Sequence, residues 1–194
     1  MARLALQSLR EYYTDLEQHG IYSPNEAEFQ AYYLLSHLYQ NEFLSKAEQL
    51  RPEVLNHPLV QLSIEFTSII QNNNCTLRGH PRTEGSLNAF YRFFKKLQSQ
   101  NVPYLFGCLL HMSFITVRRG ALKAMQGTYY CFPDQEAFVY PVSHLVQILA
   151  LNDEAEAREY FEYFEIPVSP DGRVAYIGKM KDAFGKVKSG NFKG

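Results

Sequence analysis

The chain has 194 residues, 46% of them hydrophobic, with 19 Lys and Arg against 20 Asp and Glu. That length suggests one domain, or one plus a small appendage, with enough apolar residues for a real core. A net charge of −1 argues against a protein that coats nucleic acid over its whole surface, and no apolar run reaches the roughly 20 residues a bilayer span needs.

Residues 4–19 read as a helix with Leu6, Leu9, Tyr13 and Leu16 on one stripe, ended by Gly20. Ser23-Pro24-Asn25-Glu26 predicts a capped start, with Ser23 as cap and Glu26 at capping-box spacing. The helix it opens runs to Leu38 and packs through Phe29, Tyr32, Tyr33, Leu35 and Leu38. A short helix over 41–50 follows, then a turn marked by Pro52 and Pro58. A helix over 59–70 comes next, with Leu62, Phe66, Ile69 and Ile70 inward. Short connections between helices predict antiparallel stacked pairs. Residues 71–85 are polar and carry Arg78, His80 and Arg82 against Glu84 alone; they read as a surface loop or a partner or phosphate contact.

Residues 87–130 are the longest apolar-rich stretch, and the chain reads as organised around them. Leu87, Phe90, Tyr91, Phe94 and Leu97 recur at helical spacing, with Arg92, Lys95, Lys96 and Gln98 opposite. Pro103 breaks that helix and suits the first turn of the next. From Tyr104 to Ile115 the next helix is apolar almost all round, which predicts a central position with Leu109 buried. A third helical segment, 115–125, carries Arg118, Arg119 and Lys123.

After Tyr130 the texture changes. Residues 133–141 look like a linker, 142–151 a compact helix, and Asn152-Asp153-Glu154 caps another through Phe164. Ile166-Pro167-Val168 is short and extended, Asp171-Gly172 signals a hairpin turn, and 173–177 reads as the return strand. Helix, helix, strand, turn, strand is the tail of a winged-helix module. The fold expected is therefore mostly α, with stacked helices over 1–132, a winged-helix module over 133–178 and a basic tail over 179–194.

Little enzymatic chemistry is visible. The six histidines form no paired metal-ligand spacing; His111 reads as a core histidine and Cys108 as inert packing. No phosphate loop, dinucleotide motif or nucleophile elbow is present, so no catalytic residue, metal or cofactor is expected. Cys75, Cys108 and Cys131, odd in number and widely spaced, suggest free thiols in a reducing compartment. Met1-Ala2-Arg3 leads straight into an amphipathic helix without a signal peptide, an abrupt opening that reads as a piece of a longer protein.

Charge in the last quarter is segregated. Asp153, Glu154, Glu156, Glu159, Glu162 and Glu165 against Arg158 give −5, whereas Arg173, Lys179, Lys181, Lys186, Lys188 and Lys193 against Asp182 give +5. An acidic helix repels phosphate and argues against major-groove reading. The basic strand and tail suggest backbone contact with RNA or DNA without sequence readout, through Arg173, Lys179, Lys181, Lys186 and Lys188. Tyr160, Tyr163 and Tyr176 are aromatic groups in a module too small to bury them all, and are expected to dock a protein partner.

The blocks SLREYYTDLEQHG, SPNEAEFQAYYLLSHL, RTEGSLNAFYRFFKKLQS and PYLFGCLLHMSFITVRRGALKAM resemble, in order, the SAC/GANP family, and RGHPRTEGSLNAFYRFF is most like its fungal members. These are large scaffold subunits of the second TREX complex, which couples transcription to mRNA export at nuclear pores. The resemblance, from about Ser8 to Ile177, implies a PCI-type architecture of helical repeats followed by a winged helix. It also implies a nuclear location at the pore and a second PCI-type subunit as partner. A small acidic protein would brace that subunit, and the paired winged helices would form a surface for nucleic acid, with no membrane contact. Two other readings share parts of this pattern: a scaffold subunit of a proteasome-lid or signalosome-like assembly, and a winged-helix DNA-binding regulator.

Overall fold

The computed structural model describes residues 2–39, 42–73, 89–99, 102–129 and 139–177. In chain order they form α1 (Ala2–Gln18), α2 (Glu26–Leu35), α3 (Phe43–Glu48), α4 (Pro52–Leu55), α5 (Pro58–Asn73), α6 (Ala89–Ser99), α7 (Tyr104–His111), α8 (Phe114–Tyr129), β1 (Tyr140–Pro141), α9 (Val142–Ile148), α10 (Glu154–Tyr163) and β2 (Val174–Ala175). The described chain is mostly helical. It divides into two compact units, Met1–Asn74 with Lys96–Ile115, and Cys75–Lys95 with Thr116–Gly194.

In the first unit α2 is the centre. It touches α1, α3, α4, α5 and α7, and Ala31, Tyr32, Tyr33, Leu34 and Leu35 are all buried in succession. A helix buried on every side must have neighbours on every side. The sequence places that role on the helix from Tyr104, and this expectation is overturned. In α7 only Phe106 and Leu110 are buried, while Tyr104 is 83% exposed and Leu105, Cys108 and Met112 also face out. Leu109 is half-buried rather than core. One stripe of an eight-residue helix suffices to dock it on α2: the Phe106 ring lies 6.5 Å from that of Tyr32 and 6.1 Å from that of Phe66. Cys108 is thus not inert packing, and His111 is an exposed side chain with its ring 4.9 Å from Phe114.

The helix ends follow local chemistry. Gly20 ends α1 at φ +70°, with the Ile21 N–H donating to the Leu16 carbonyl at 3.0 Å, the geometry of a left-handed C-terminal cap. The capping box expected at Ser23 does not form. Asn25 holds the cap position without a side-chain bond, and the buried Glu26 instead pairs with Arg51. An ion pair shielded from water outcompetes a surface cap for the carboxylate. Pro52 sits in the first turn of α4, a short helix where only a turn is expected, because Arg51 before it is extended, at ψ 148°. Pro103 caps α7 from outside rather than lying in its first turn.

In the second unit Phe90, Phe93 and Phe94 of α6 are buried, as are Val117, Ala121, Leu122, Ala124 and Met125 of α8. Phe93 replaces Tyr91 and Leu97 on the inward face: Tyr91 is 47% exposed. Beyond α8, β1 pairs antiparallel with β2, Tyr140 opposite Ala175 and Pro141 opposite Val174. A single bridge joins Val168 to Ala175. The expected hairpin is therefore one bridge wide, and the end of the stretch read as a linker supplies the other strand. Ala175 pairs on both sides and is fully buried. The C-termini of α9 and α10 turn through Ala150 (φ 49°) and Glu165 (φ 52°), left-handed positions held without glycine. There the Leu151 and Ile166 N–H groups donate back to Val146 and Phe161 at 2.9 and 2.8 Å, and Leu151 and Ile166 are buried.

Candidate partner and nucleic-acid interface

The residues singled out by the sequence lie on α10 and on the strands after it. Asp153 caps α10 by accepting the Glu156 N–H at 2.8 Å, which places acids in the first turn, where the helix dipole favours them. Ala157, Tyr160, Phe161 and Phe164 follow at i, i+3, i+4 and i+7, and all four are buried. This corrects the expectation for Tyr160. It is 1% exposed, its ring 4.7 Å from that of Phe164, and burial pushes its phenol above the ordinary range. Tyr160 is core because i+3 belongs to the same stripe as i, i+4 and i+7. Tyr163, one position off the stripe, is 38% exposed and stands edge-on to Phe164 at 5.0 Å. Tyr176 is half-buried, its N–H bonded to the Pro167 carbonyl at 2.9 Å.

The outer face of α10 carries Glu154, Arg158, Glu159 and Glu162, all exposed, with Asp153 and Glu165 exposed at its ends. Glu156 is turned away from that face. One of its oxygens takes an Arg118 N–H at 3.1 Å and the other takes the Asn152 N–H at 2.6 Å. Arg118, only 7% exposed, also donates to the carbonyls of Leu149 at 2.9 Å and Ala150 at 2.5 Å, and its guanidinium lies 5.8 Å from the Phe94 ring centre. One arginine thus holds the end of α9 and the start of α10 in fixed relation to α8. Sequence reading missed this role, although Arg118 is in phase with Ala121, Leu122 and Met125 on the buried face of α8.

On the strand side, Arg173 is exposed at the turn preceding β2. The turn is built by Asp171, whose carboxylate accepts the Ser169 hydroxyl and the Arg173 N–H, the latter at 3.2 Å. The Ser169 bond is the main reason the Asp171 carboxyl lies below its ordinary range. Gly172 at φ +71° leaves room for the Arg158 guanidinium, which a side chain there would meet at 3.2 Å. Between α10 and this turn lies a cleft of ≈370 Å³ with Phe161, Ile166 and Val168 in its lining and Arg158, Glu162 and Asp171 among its charged groups.

The structure therefore brings Tyr163, Tyr176 and Arg173 into one unit. Lys179, Lys181, Lys186 and Lys188 lie outside the described residues, as do Arg78, His80 and Arg82. Among the described residues no cluster of His, Cys, Asp or Glu could hold a metal ion, and no helix is long and apolar enough to cross a membrane.

Comparison with known proteins gives the lineage. The chain is 36% identical over 182 residues to SAC3 family protein 1 of Schizosaccharomyces pombe, covering 92% of this chain and 17% of that protein. It is 29% identical over 169 residues to Protein xmas of Drosophila melanogaster, covering 87% of this chain and 7% of that protein. It thus spans less than a fifth of the length of either relative. The model of the SAC3/GANP family matches residues 3–170, a span that runs through both compact units, and on that match the chain belongs to the SAC3/GANP family.

Proposed function

We propose that this chain is a non-enzymatic scaffold segment of a nuclear mRNA-export assembly. Its α9–α10 module with the β1–β2 ribbon acts as a winged helix that docks a second PCI-type subunit. Membership of the SAC3/GANP family over residues 3–170 carries this reading. The module supports it: two short helices, a turn closed by Gly172 and a narrow antiparallel ribbon follow a helical stack. Tyr163 and Tyr176 remain available for docking, since Tyr160 is committed to the core. The acidic outer face of α10 repels phosphate, so nucleic-acid backbone is met by Arg173 and by Lys179, Lys181, Lys186 and Lys188. A small acidic protein braces the partner subunit, and the assembly works at nuclear pores.

The test is co-purification from cells with mass spectrometry, on wild type and on a Tyr163→Ala, Tyr176→Ala double variant. A second PCI-type protein is expected with wild type and lost with the variant at unchanged melting temperature; its presence with both removes these rings from the interface. On the purified complex, RNA affinity should fall with salt at a log–log slope of roughly −3 to −4, taking about four or five phosphate contacts. Replacing the four lysines with Glu should abolish binding without dissociating the complex. A mutant that binds as tightly, with the same slope, places the RNA site elsewhere.

A further inference from the structure

We propose that Arg10, Tyr33 and Lys46 form a binding site for a phosphate monoester, presented on a phosphorylated segment of a protein partner. The three side chains come from α1, α2 and α3 of the first unit. The Tyr33 hydroxyl accepts hydrogen bonds from Arg10 Nη1 at 3.3 Å and from Lys46 Nζ at 3.2 Å. Both cations also lie against the ring of the same tyrosine, 5.0 and 5.5 Å from its centre. Tyr33 is 4% exposed, so its oxygen is a fixed point on which two positive charges converge.

Two features of this cluster go beyond a clamp between helices. The first is charge. Arg10 has no carboxylate partner among the described residues; its other bond is to Gln49 Oε1 at 2.7 Å, a neutral acceptor. Lys46 has Glu42 alone, at 3.4 Å, and the Glu42 side chain is 70% exposed, so water screens that pair. The cluster thus holds two cations against one solvated anion. The second feature is the phenol proton. Tyr33 Oη receives two hydrogen bonds, and no acceptor for its own O–H is present among the described residues. Burial pushes this phenol up, but the hydrogen bonds and the charges of Lys46 and Arg10 together outweigh it and leave it below its ordinary value. A phenol polarised in this way is a strong donor.

An ammonium, a guanidinium and a phenol O–H match the three acceptor oxygens and the charge of about −1.5 to −2 of a phosphate monoester. A carboxylate has one charge too few to balance the pair. A phosphodiester strand carries one charge per nucleotide and is followed by cations set in a row, whereas these donors meet at one oxygen with Glu42 beside them. The observations therefore favour a single phosphoryl group on a protein over nucleic-acid backbone.

The test is a titration of the isotopically labelled full chain, at constant ionic strength, with O-phosphoserine, inorganic phosphate, chloride and decauridylate RNA, reading the side-chain N–H signals of Arg10 and Lys46. O-phosphoserine should shift both signals to saturation, at least as tightly as inorganic phosphate, while chloride produces no saturating shift. Tyr33→Phe should weaken binding by about tenfold, the worth of one hydrogen bond to a charged group, and Arg10→Gln or Lys46→Gln should remove saturation while the amide spectrum stays that of the folded chain. If Arg10→Gln does not fold, the half-buried Lys46→Gln carries the test. Signals that fail to saturate overturn the proposal, and so does a Tyr33→Phe chain that binds as wild type does. Preference for inorganic phosphate over O-phosphoserine makes the site one for a free anion, and tighter binding of RNA at equal phosphate concentration makes it a backbone contact; either result overturns the phosphorylated partner.

Discussion

Replacing Arg118 with Ala removes three hydrogen bonds to described residues in the interior of the second unit. The Leu149 and Ala150 carbonyls lose donors at 2.9 and 2.5 Å, and Glu156 loses one at 3.1 Å. Leaving a buried carbonyl unsatisfied costs about 1–3 kcal/mol. The lower end applies here, because Ala150 is only half-buried and water can reach the space vacated. Breaking a fully buried ion pair costs about 3–5 kcal/mol. Glu156 falls short of that, since its side chain is 22% exposed and it keeps the Asn152 N–H at 2.6 Å. Arg118→Ala should therefore destabilise the chain by about 3 kcal/mol. Arg118→Lys should cost about half as much, because a single ammonium cannot reach two carbonyls and a carboxylate in the planar fork that the guanidinium supplies.

The assay is urea unfolding, with the midpoint expected to fall at unchanged slope. A double-mutant cycle with Glu156→Ala should show a coupling of about 1 kcal/mol or more, as expected for partners in one network. Amide exchange at Leu151 and Asn152 should accelerate more than exchange along α2, since the loss is local to the α9–α10 junction. A midpoint shift equivalent to less than about 0.5 kcal/mol, or strict additivity in the cycle, would refute the view that Arg118 holds this junction.

Two further outcomes follow from burial. Leu110→Ala should cost roughly 2–5 kcal/mol, the range for a fully buried leucine, and Leu109→Ala markedly less; equal losses in urea would mean that α7 is buried on both faces. His37 is 3% exposed, with Nδ1 against the Tyr33 carbonyl at 2.8 Å. Burial pushes its imidazole below the usual value, and Arg3 and Lys46 add to that against the smaller upward pull of the Tyr33 carbonyl and Glu42. The folded chain therefore binds the proton less readily than the unfolded chain. The stability that neutral His37 contributes is complete above the unfolded value of about 6.5 and is lost as pH falls below it. Melting temperatures between pH 7.5 and 5 should drop faster for wild type than for His37→Leu, and parallel curves would show that His37 titrates alike in both states.

Helical periodicity made most of the fold legible, and its failures have definite causes. The stripe of Phe66, Ile69 and Ile70 reads correctly because a half-buried helix shows a two-sided pattern. In α7 that logic broke down: Tyr104, Leu105, Cys108 and Met112 are apolar, yet α2 offers contact to one face only. Composition reports what a helix could bury, and the number of neighbours decides what it does bury. The central role of α2 was hidden for the opposite reason, since Glu26 and Gln30 are buried polar groups that make its sequence look amphipathic. Glu26 is satisfied by Arg51, 25 residues away and outside any local window. At β1 the strand is two residues long and pairs with residues more than 30 positions away, so a propensity signal had no length over which to accumulate.

The same distinction bears on the interface. A buried Tyr160 removes one of the three tyrosine rings expected at the docking surface and leaves α10 an outer face of Glu154, Glu159 and Glu162 with Arg158 and the edge of Tyr163. Rim charges of this kind govern association rate and choice of partner more than they govern affinity. Under the proposed function, the partner that meets this face is basic around an apolar contact for Tyr163. The same carboxylates repel phosphate from that face, whereas Arg173 lies at the turn before β2, where Asp171 is occupied by Ser169 and by the backbone. Under the proposed function, a protein and a nucleic acid would be met from different sides of this small module, with Arg118 holding the junction from which α10 begins.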